Sequence, residues 1–248
     1  MQFVKERQDA PAGFFEVEAA GLRWLAVPGG VPAVQPLDVS PTRIVLPRLT
    51  LARPTPEAAE QFGRRLAITH AAGAEYFGQP PAGWTDDGYI GNARLPHPRQ
   101  PIESWAAFYA KYRLEPYVRE AYDAGVFDDS ARQVFDRVCG RLADDAPEPP
   151  SRLHGDLWSG NVLWTVDGAH LIDPAAHGGH RETDLAMLSL FGLPHLDRVL
   201  AAYDEVLPLA DGWEGRVGLH QLHPLLVHVV LFGGSYVGRA VGVAARYG

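Results

Sequence analysis

Residues 152–164, RLHGDLWSGNVLW, set a His, an Asp and an Asn among small residues with apolar strand formers on both sides. Asp156 and Asn161 are separated by four residues, and a second carboxylate, Asp173, follows in the stretch LIDP. Mg²⁺ takes oxygen ligands, typically one or two carboxylates with phosphate oxygens and water, so Asn161 and Asp173 are suitable donors. Asp156, on the loop leading in, is placed to accept a proton from an attacking hydroxyl. The order H-x-D-x(4)-N followed by a strand-borne Asp is that of phosphoryl transfer, where one Asp orients the acceptor and an Asn and a second Asp hold metal. HGD alone is also what a polar turn looks like, with the Asp bonded to its own backbone. Asn161 at this spacing and LIDP downstream favour the chemical reading.

A hairpin must bring the two arms together. Asp167-Gly168 is a two-residue turn signal between apolar strands, which predicts that Val166 faces Ala169, Trp164 faces Leu171 and Val162 faces Asp173. Asn161 and Asp173 then lie side by side at the open end. Upstream, QFVKE reads as a strand, and FFEVEAAGLRWLA as a helix with Phe15, Ala19, Leu22 and Leu25 on one stripe. VQPLDV and TRIVLPRL read as short strands around a Ser-Pro turn. Thr55 is the expected N-cap of a helix carrying Phe62, Leu66 and Thr69. Two more helices follow in PIESWAAFYAKYRLEPYVREAYDAG, with a kink at Pro116, and in DSARQVFDRVCGRLADD. APEPP interrupts the chain, and helices resume near Thr183 after the hairpin.

LHGDLWSGNVLW, LIDPAAHGGHRETDLAMLSLFG and AAYDEVLPL resemble the fructosamine kinase (ketosamine-3-kinase) family, within the wider group of aminoglycoside-phosphotransferase-like kinases. The resemblance extends through FVK, the EAAGL helix and LHQLHPLLVHVVLFGGSYVG, so it covers nearly the whole chain. It implies a protein-kinase-like α+β fold, with a reduced nucleotide-binding lobe over residues 1–52 and a large helical lobe over 53–248. It also implies an ATP- and Mg²⁺-dependent kinase that phosphorylates the 3-hydroxyl of ketosamines, free or protein-bound, as a deglycation repair step. Carried over by position, Asp156 is the catalytic base, and Asn161 and Asp173 hold the metal. Lys5 pairs with the nucleotide phosphates, and Glu18, rather than Glu16, anchors that lysine. Leu46, Pro47 and Leu49 meet adenine, although relatives usually carry an acidic residue at the position of Pro47. Trp158 either presents an aromatic face to the sugar or packs inward, while His154 and Asp184 support the catalytic loop. Only four residues precede Lys5, so the Gly-containing hairpin that covers the phosphates in relatives is not expected. A kinase for another sugar or amine, and a pseudokinase that only binds, stay open.

Composition reads as that of a globular protein. The 248 residues are 46% hydrophobic and carry a net charge of −8, which argues against nucleic acid as the default partner. Only Lys5 and Lys111 are lysines among 22 basic residues, so each lysine raises the question of whether a compact ammonium is needed there. The single cysteine, Cys139, excludes an internal disulfide and a Cys-rich zinc site. No leader and no run approaching a membrane span is read from the sequence, which predicts a cytoplasmic protein with no membrane partner. The histidines of HGGH and at positions 220, 223 and 228 are expected to be hydrogen-bonded core residues rather than zinc ligands. LFGGSYVG lacks the Lys-Ser/Thr of a phosphate loop and is expected to pack helices closely.

Overall fold

The computed structural model describes residues 1–144 and 148–248. Strand β1 (Gln2–Glu6) leads to helix α1 (Phe14–Trp24), then β2 (Asp38–Ser40) and β3 (Arg43–Pro47). These strands form an antiparallel sheet in the order β1-β3-β2, with Lys5 opposite Ile44. Every residue of β1 except Lys5 is exposed, so the strand's one inward side chain is its lysine. Helix α1 covers the sheet. Its Phe15, Ala19 and Leu22 recur at helical spacing and are buried, and Glu18, one turn from Phe15, is buried with them.

Helix α2 (Pro56–Ala71) starts as its residues require. Thr55 accepts the Ala58 amide hydrogen at 3.2 Å and Pro56 occupies the first turn. Strands β4 (Gly88–Ile90) and β5 (Ala93–Leu95) form a hairpin, followed by α3 (Trp105–Phe108), a π-helical segment (Tyr109–Leu114) and α4 (Glu115–Asp123). The expected kink at Pro116 thus takes the form of a π segment ending just before it. Proline supplies no N–H to Tyr112, four residues earlier, and the Arg113 guanidinium bonds the Tyr112 carbonyl instead at 2.9 Å. Helix α5 (Asp129–Arg141) ends before the LADD stretch assigned to it, and part of APEPP lies outside the described residues.

Strand β6 (Ser151–Leu153) pairs with β9 (His177–Gly179), and between them β7 (Val162–Thr165) pairs with β8 (Gly168–Leu171). The β7–β8 register differs from the one expected. The turn is Val166-Asp167, Thr165 faces Gly168, and Val162 faces Leu171 rather than Asp173. The Thr165 hydroxyl captures the Asp167 amide hydrogen at 3.1 Å, a side-chain bond that closes the turn one residue early. Because the slip is two residues in the pairing sum, every side chain keeps its face and Asp173 is moved just past the ladder. VQPLDV is likewise strand only from Asp38.

Helices α6 (Glu182–Phe191), α7 (Leu196–Val206), α8 (Trp213–His220), α9 (Leu222–Phe232) and α10 (Val237–Ala244) complete the chain. One apolar core gathers Phe15, Leu22, Ile44 and Leu46 with Phe62 and Leu66 of α2 and with the β7–β8 hairpin. A second joins α3 to α5 with α9 and α10. The segment Trp213–Ala244 meets the length and composition of a membrane span, as core helices of globular proteins also do. In the fold it is broken at the Gly233–Tyr236 turn, and Leu222, Leu225, Leu226 and Val229 are buried in the second core.

Candidate active site

The loop between β6 and β7 is built on Asp184. This buried carboxylate accepts the backbone amide hydrogens of His154 (2.7 Å) and Gly155 (2.9 Å) and lies 3.2 Å from His70 Nε2. His70 Nδ1 reaches the Tyr203 hydroxyl at 2.8 Å. Burial alone would raise the Asp184 value, but the hydrogen bonds and the histidine beside it hold it below the ordinary carboxylate range. Gly155 sits at φ +82°, and a Cβ there would collide with the Ala175 carbonyl oxygen, so the loop needs glycine at this point. His154 Nε2 meets the Ile172 carbonyl at 2.8 Å and its Nδ1 accepts the Asp156 amide hydrogen at 3.2 Å, which is the neutral tautomer with the proton on Nε2. Burial keeps this ring neutral by lowering its value. The support expected of His154 and Asp184 is therefore direct bonding to the loop backbone.

On that loop, Asn161 Nδ2 donates to the Asp156 carbonyl (2.8 Å) and to Asp156 Oδ2 (3.0 Å), and lies 3.4 Å from the Asp173 carbonyl. Burial pushes the Asp156 carboxyl up to about 7. The Asn161 hydrogen bond opposes that rise, and the charges of Asp173 and Asp184 add to it. Asp173 has φ +53°, a left-handed conformation uncommon for a residue with a side chain. It follows the Ile172 amide, which closes the ladder on the Asn161 carbonyl at 3.2 Å. Lys5 Nζ bonds both Glu18 oxygens at 2.8 Å and Asp173 Oδ1 at 2.9 Å. The two carboxylates keep the lysine ammonium charged and its value raised despite burial.

Lys5, Glu18, Asp156, Trp158, Asn161 and Asp173 line one cleft of about 420 Å³. Glu16, the second candidate for the lysine's partner, does not line it. Trp158 stands at the mouth, 40% exposed, with its ring edge-on to Phe191 at 6.3 Å. Leu46, Pro47 and Leu49 are not brought to this cleft. Leu46 is buried in the first core and Pro47 pairs with Gln2 at the end of β3. The donors left over at the cleft are oxygens. Asn161 spends its Nδ2 hydrogens on Asp156 and keeps Oδ1, and Asp173 keeps the oxygen that Lys5 does not take. That donor set fits a hard divalent cation such as Mg²⁺.

One wall of the cleft was not foreseen. Tyr89, Ile90, Gly91 and Asn92, from the β4–β5 hairpin, face it together with Leu231 and Phe232 at the end of α9. The dipeptide Gly91-Asn92 between YI and AR is a two-residue hairpin signal with glycine first, and it could have located this wall. His180 and His220 are buried, and each has a ring nitrogen in a hydrogen bond, to the Glu182 amide and to the Thr183 hydroxyl. His180, Glu182 and His220 place donor atoms within 4.8 Å of one another beside a separate cavity of about 310 Å³. Arg216 forks onto both Glu182 oxygens at 2.6 and 2.9 Å, so this carboxylate is already paired with a cation.

Comparison with known proteins gives the family. A family model described as fructosamine kinase matches residues 1–247. A Vibrio parahaemolyticus protein named "probable ketoamine kinase" is 35% identical over 91% of this chain and 77% of its own length. A Synechocystis protein of the same name is 34% identical over 94% of this chain and 78% of its own. A Thermobifida fusca YX-ER1 crystal structure, provisionally titled a fructosamine-3-kinase, superposes with TM-score 0.90 at 51% identity, over 98% of this chain and 84% of the other. The gentamicin complex of the aminoglycoside phosphotransferase APH(2")-IIa, at TM-score 0.66 and 11% identity, shares the fold alone. The chain is thus a kinase-type phosphotransferase with a protein-kinase-like fold, and it belongs to the fructosamine kinase family.

Proposed function

We propose that this chain transfers the γ-phosphoryl group of ATP, with Mg²⁺, to the 3-hydroxyl of a ketosamine, and that the transfer is a deglycation step. The observation that carries the reading is the convergence of Asp156, Asn161, Asp173 and the Lys5–Glu18 pair on one cleft. Lys5, held by Glu18, orients the nucleotide phosphates, and Asp156 takes the proton of the acceptor hydroxyl as its oxygen bonds the phosphorus and ADP leaves. Its carboxylate, pushed up to about 7, is matched to that proton transfer near neutral pH. Asn161 and Asp173 would hold the Mg²⁺, which when bound neutralises charge on the phosphates. Asn161 also fixes Asp156 through its Nδ2 bond. Residues 1–52 act as the nucleotide lobe, with the backbone around Pro47 and Leu49 as the hinge to adenine, and residues 53–248 supply the catalytic loop and acceptor side. The acceptor is a glycated amine, small or protein-bound, and the site of action is the cytoplasm.

The test is phosphate transfer from ATP with Mg²⁺ to a panel of ribulosamines, fructosamines and aminoglycosides. Turnover of ketosamines that is lost in Asp156→Asn supports the reading. Aminoglycoside turnover without ketosamine turnover overturns the substrate assignment, and nucleotide binding with no turnover of any acceptor overturns the catalytic one.

A further inference from the structure

The β4–β5 hairpin has its feet in one lobe and its tip on the other. Ile90 and Leu95 are buried in the second core, and the Tyr117 hydroxyl donates to the Arg94 carbonyl at 2.8 Å. At the tip, Arg7 Nη1, from just after β1, donates to Asn92 Oδ1 at 2.9 Å, and the Tyr89 hydroxyl donates to the Ala12 carbonyl at 3.2 Å. Phe14 and Tyr89 pack with ring centroids 5.2 Å apart. Gly91, at φ +54°, makes the turn, and a Cβ there would press on Leu231 Cδ1 at 3.2 Å. The tip therefore stands across the cleft from Asp156 and against the end of α9.

Two features of this wall suit an acceptor rather than a nucleotide phosphate. First, Arg7 takes the Asn92 carbonyl oxygen, which leaves the Nδ2 hydrogens of this exposed side chain without a protein partner among the described residues. Second, Phe232 is 63% exposed at the cleft, flanked by His228 and Tyr236 at ring distances of 5.4 and 6.1 Å. An aromatic face left open beside a fixed amide donor matches a polyol, whose C–H faces stack while its hydroxyls need hydrogen-bond partners.

We propose that Asn92 and Phe232 are specificity-determining residues that grip the polyhydroxylated part of the acceptor, the amide through a hydroxyl and the ring through a C–H face. The inference rests on the kinase reading above. The experiment measures acceptor and ATP kinetics for wild type, Asn92→Asp and Phe232→Ala with a fructosamine of a small amine. Asn92→Asp keeps an oxygen for Arg7 and removes the N–H donors but adds a negative charge, so Asn92→Ser, which adds none, is measured beside it.

Each variant is expected to raise the acceptor KM about tenfold, the loss of one contact, with the ATP KM within about twofold. Thermal midpoints should match wild type, since both side chains are exposed. A merely structural tie between the lobes would move both KM values together, because Arg7 lies two residues from Lys5. Parallel rises, or an acceptor KM unchanged in all variants, overturn the inference. If wild type phosphorylates only another sugar or amine class, the ketosamine reading falls while the same variants decide the inference on that acceptor. If wild type phosphorylates nothing, both fall.

Discussion

Replacing Asp156 by Asn should inactivate the protein and stabilise it, with both effects coming from one carboxylate. The Asp156 carboxyl is pushed up to about 7 from an ordinary 3.8, chiefly by burial. Because its folded-state value lies above the unfolded one, the folded protein holds this proton to higher pH. The stability linked to that proton is full below about pH 4 and is lost as pH rises through about 7. Each pH unit in that window is worth about 1.4 kcal/mol, so a fully shielded carboxylate would cost about 4 kcal/mol at pH 8. Asp156 faces the cleft and is partly exposed, and solvent screening reduces the cost to about 1–2 kcal/mol. Asn at this position keeps an oxygen for the Asn161 amide and carries no charge. For a chain of this length the gain is about 2–8 °C in thermal midpoint at pH 8, shrinking towards zero below about pH 5. Loss of the proton acceptor should lower kcat by about 10²–10⁴. In the wild type, kcat/KM should rise with pH through an ionisation near 7, as Asp156 loses its proton. Thermal melts of both proteins from pH 5 to 8 and the wild-type pH–rate profile check these points. A midpoint difference that does not change with pH, or an acid limb near 4, would refute the claim that burial sets the state of this carboxylate.

Other substitutions separate the loop's scaffold from its chemistry. Asp184→Asn turns one acceptor oxygen into a donor facing backbone amides, and should cost about 2–4 kcal/mol in denaturant unfolding. Gly155→Ala forces a side chain to φ +82° and against the Ala175 carbonyl, with an expected loss of about 2–4 kcal/mol by the same measurement. Glu18→Gln weakens the anchor of Lys5 and should raise the Kd for ATP about tenfold by calorimetry, while shifting the unfolding free energy by less than about 2 kcal/mol. If Glu18→Gln binds ATP like wild type, the lysine is positioned by Asp173 instead.

How much of this could be read without a structure depended on whether the cause was local. The Thr55 cap, the α1 stripe and the H-x-D-x(4)-N loop are set by neighbours a few residues apart, and each appears where periodicity and spacing place it. The β7–β8 register was misplaced by two because a threonine hydroxyl competed for an amide, and alternation alone does not weigh that bond. Leu46, Pro47 and Leu49, expected at adenine from family resemblance, lie outside the cleft that holds Asp156 and Lys5.

What the chain sets locally is the turn of the β6–β7 loop, where a left-handed Gly155 and the Asp156–Asn161 bonds fall within eight positions. Only tertiary structure decides what that loop faces. Lys5 meets Asp173 across 168 residues, Asp184 reaches back 30 to hold the His154 amide, and Asn92 is turned by Arg7 across 85. Such contacts depend on how two cores pack, and no local spacing encodes their distance or direction. The raised value of Asp156 has the same origin, since the burial that causes it exists only in the folded chain.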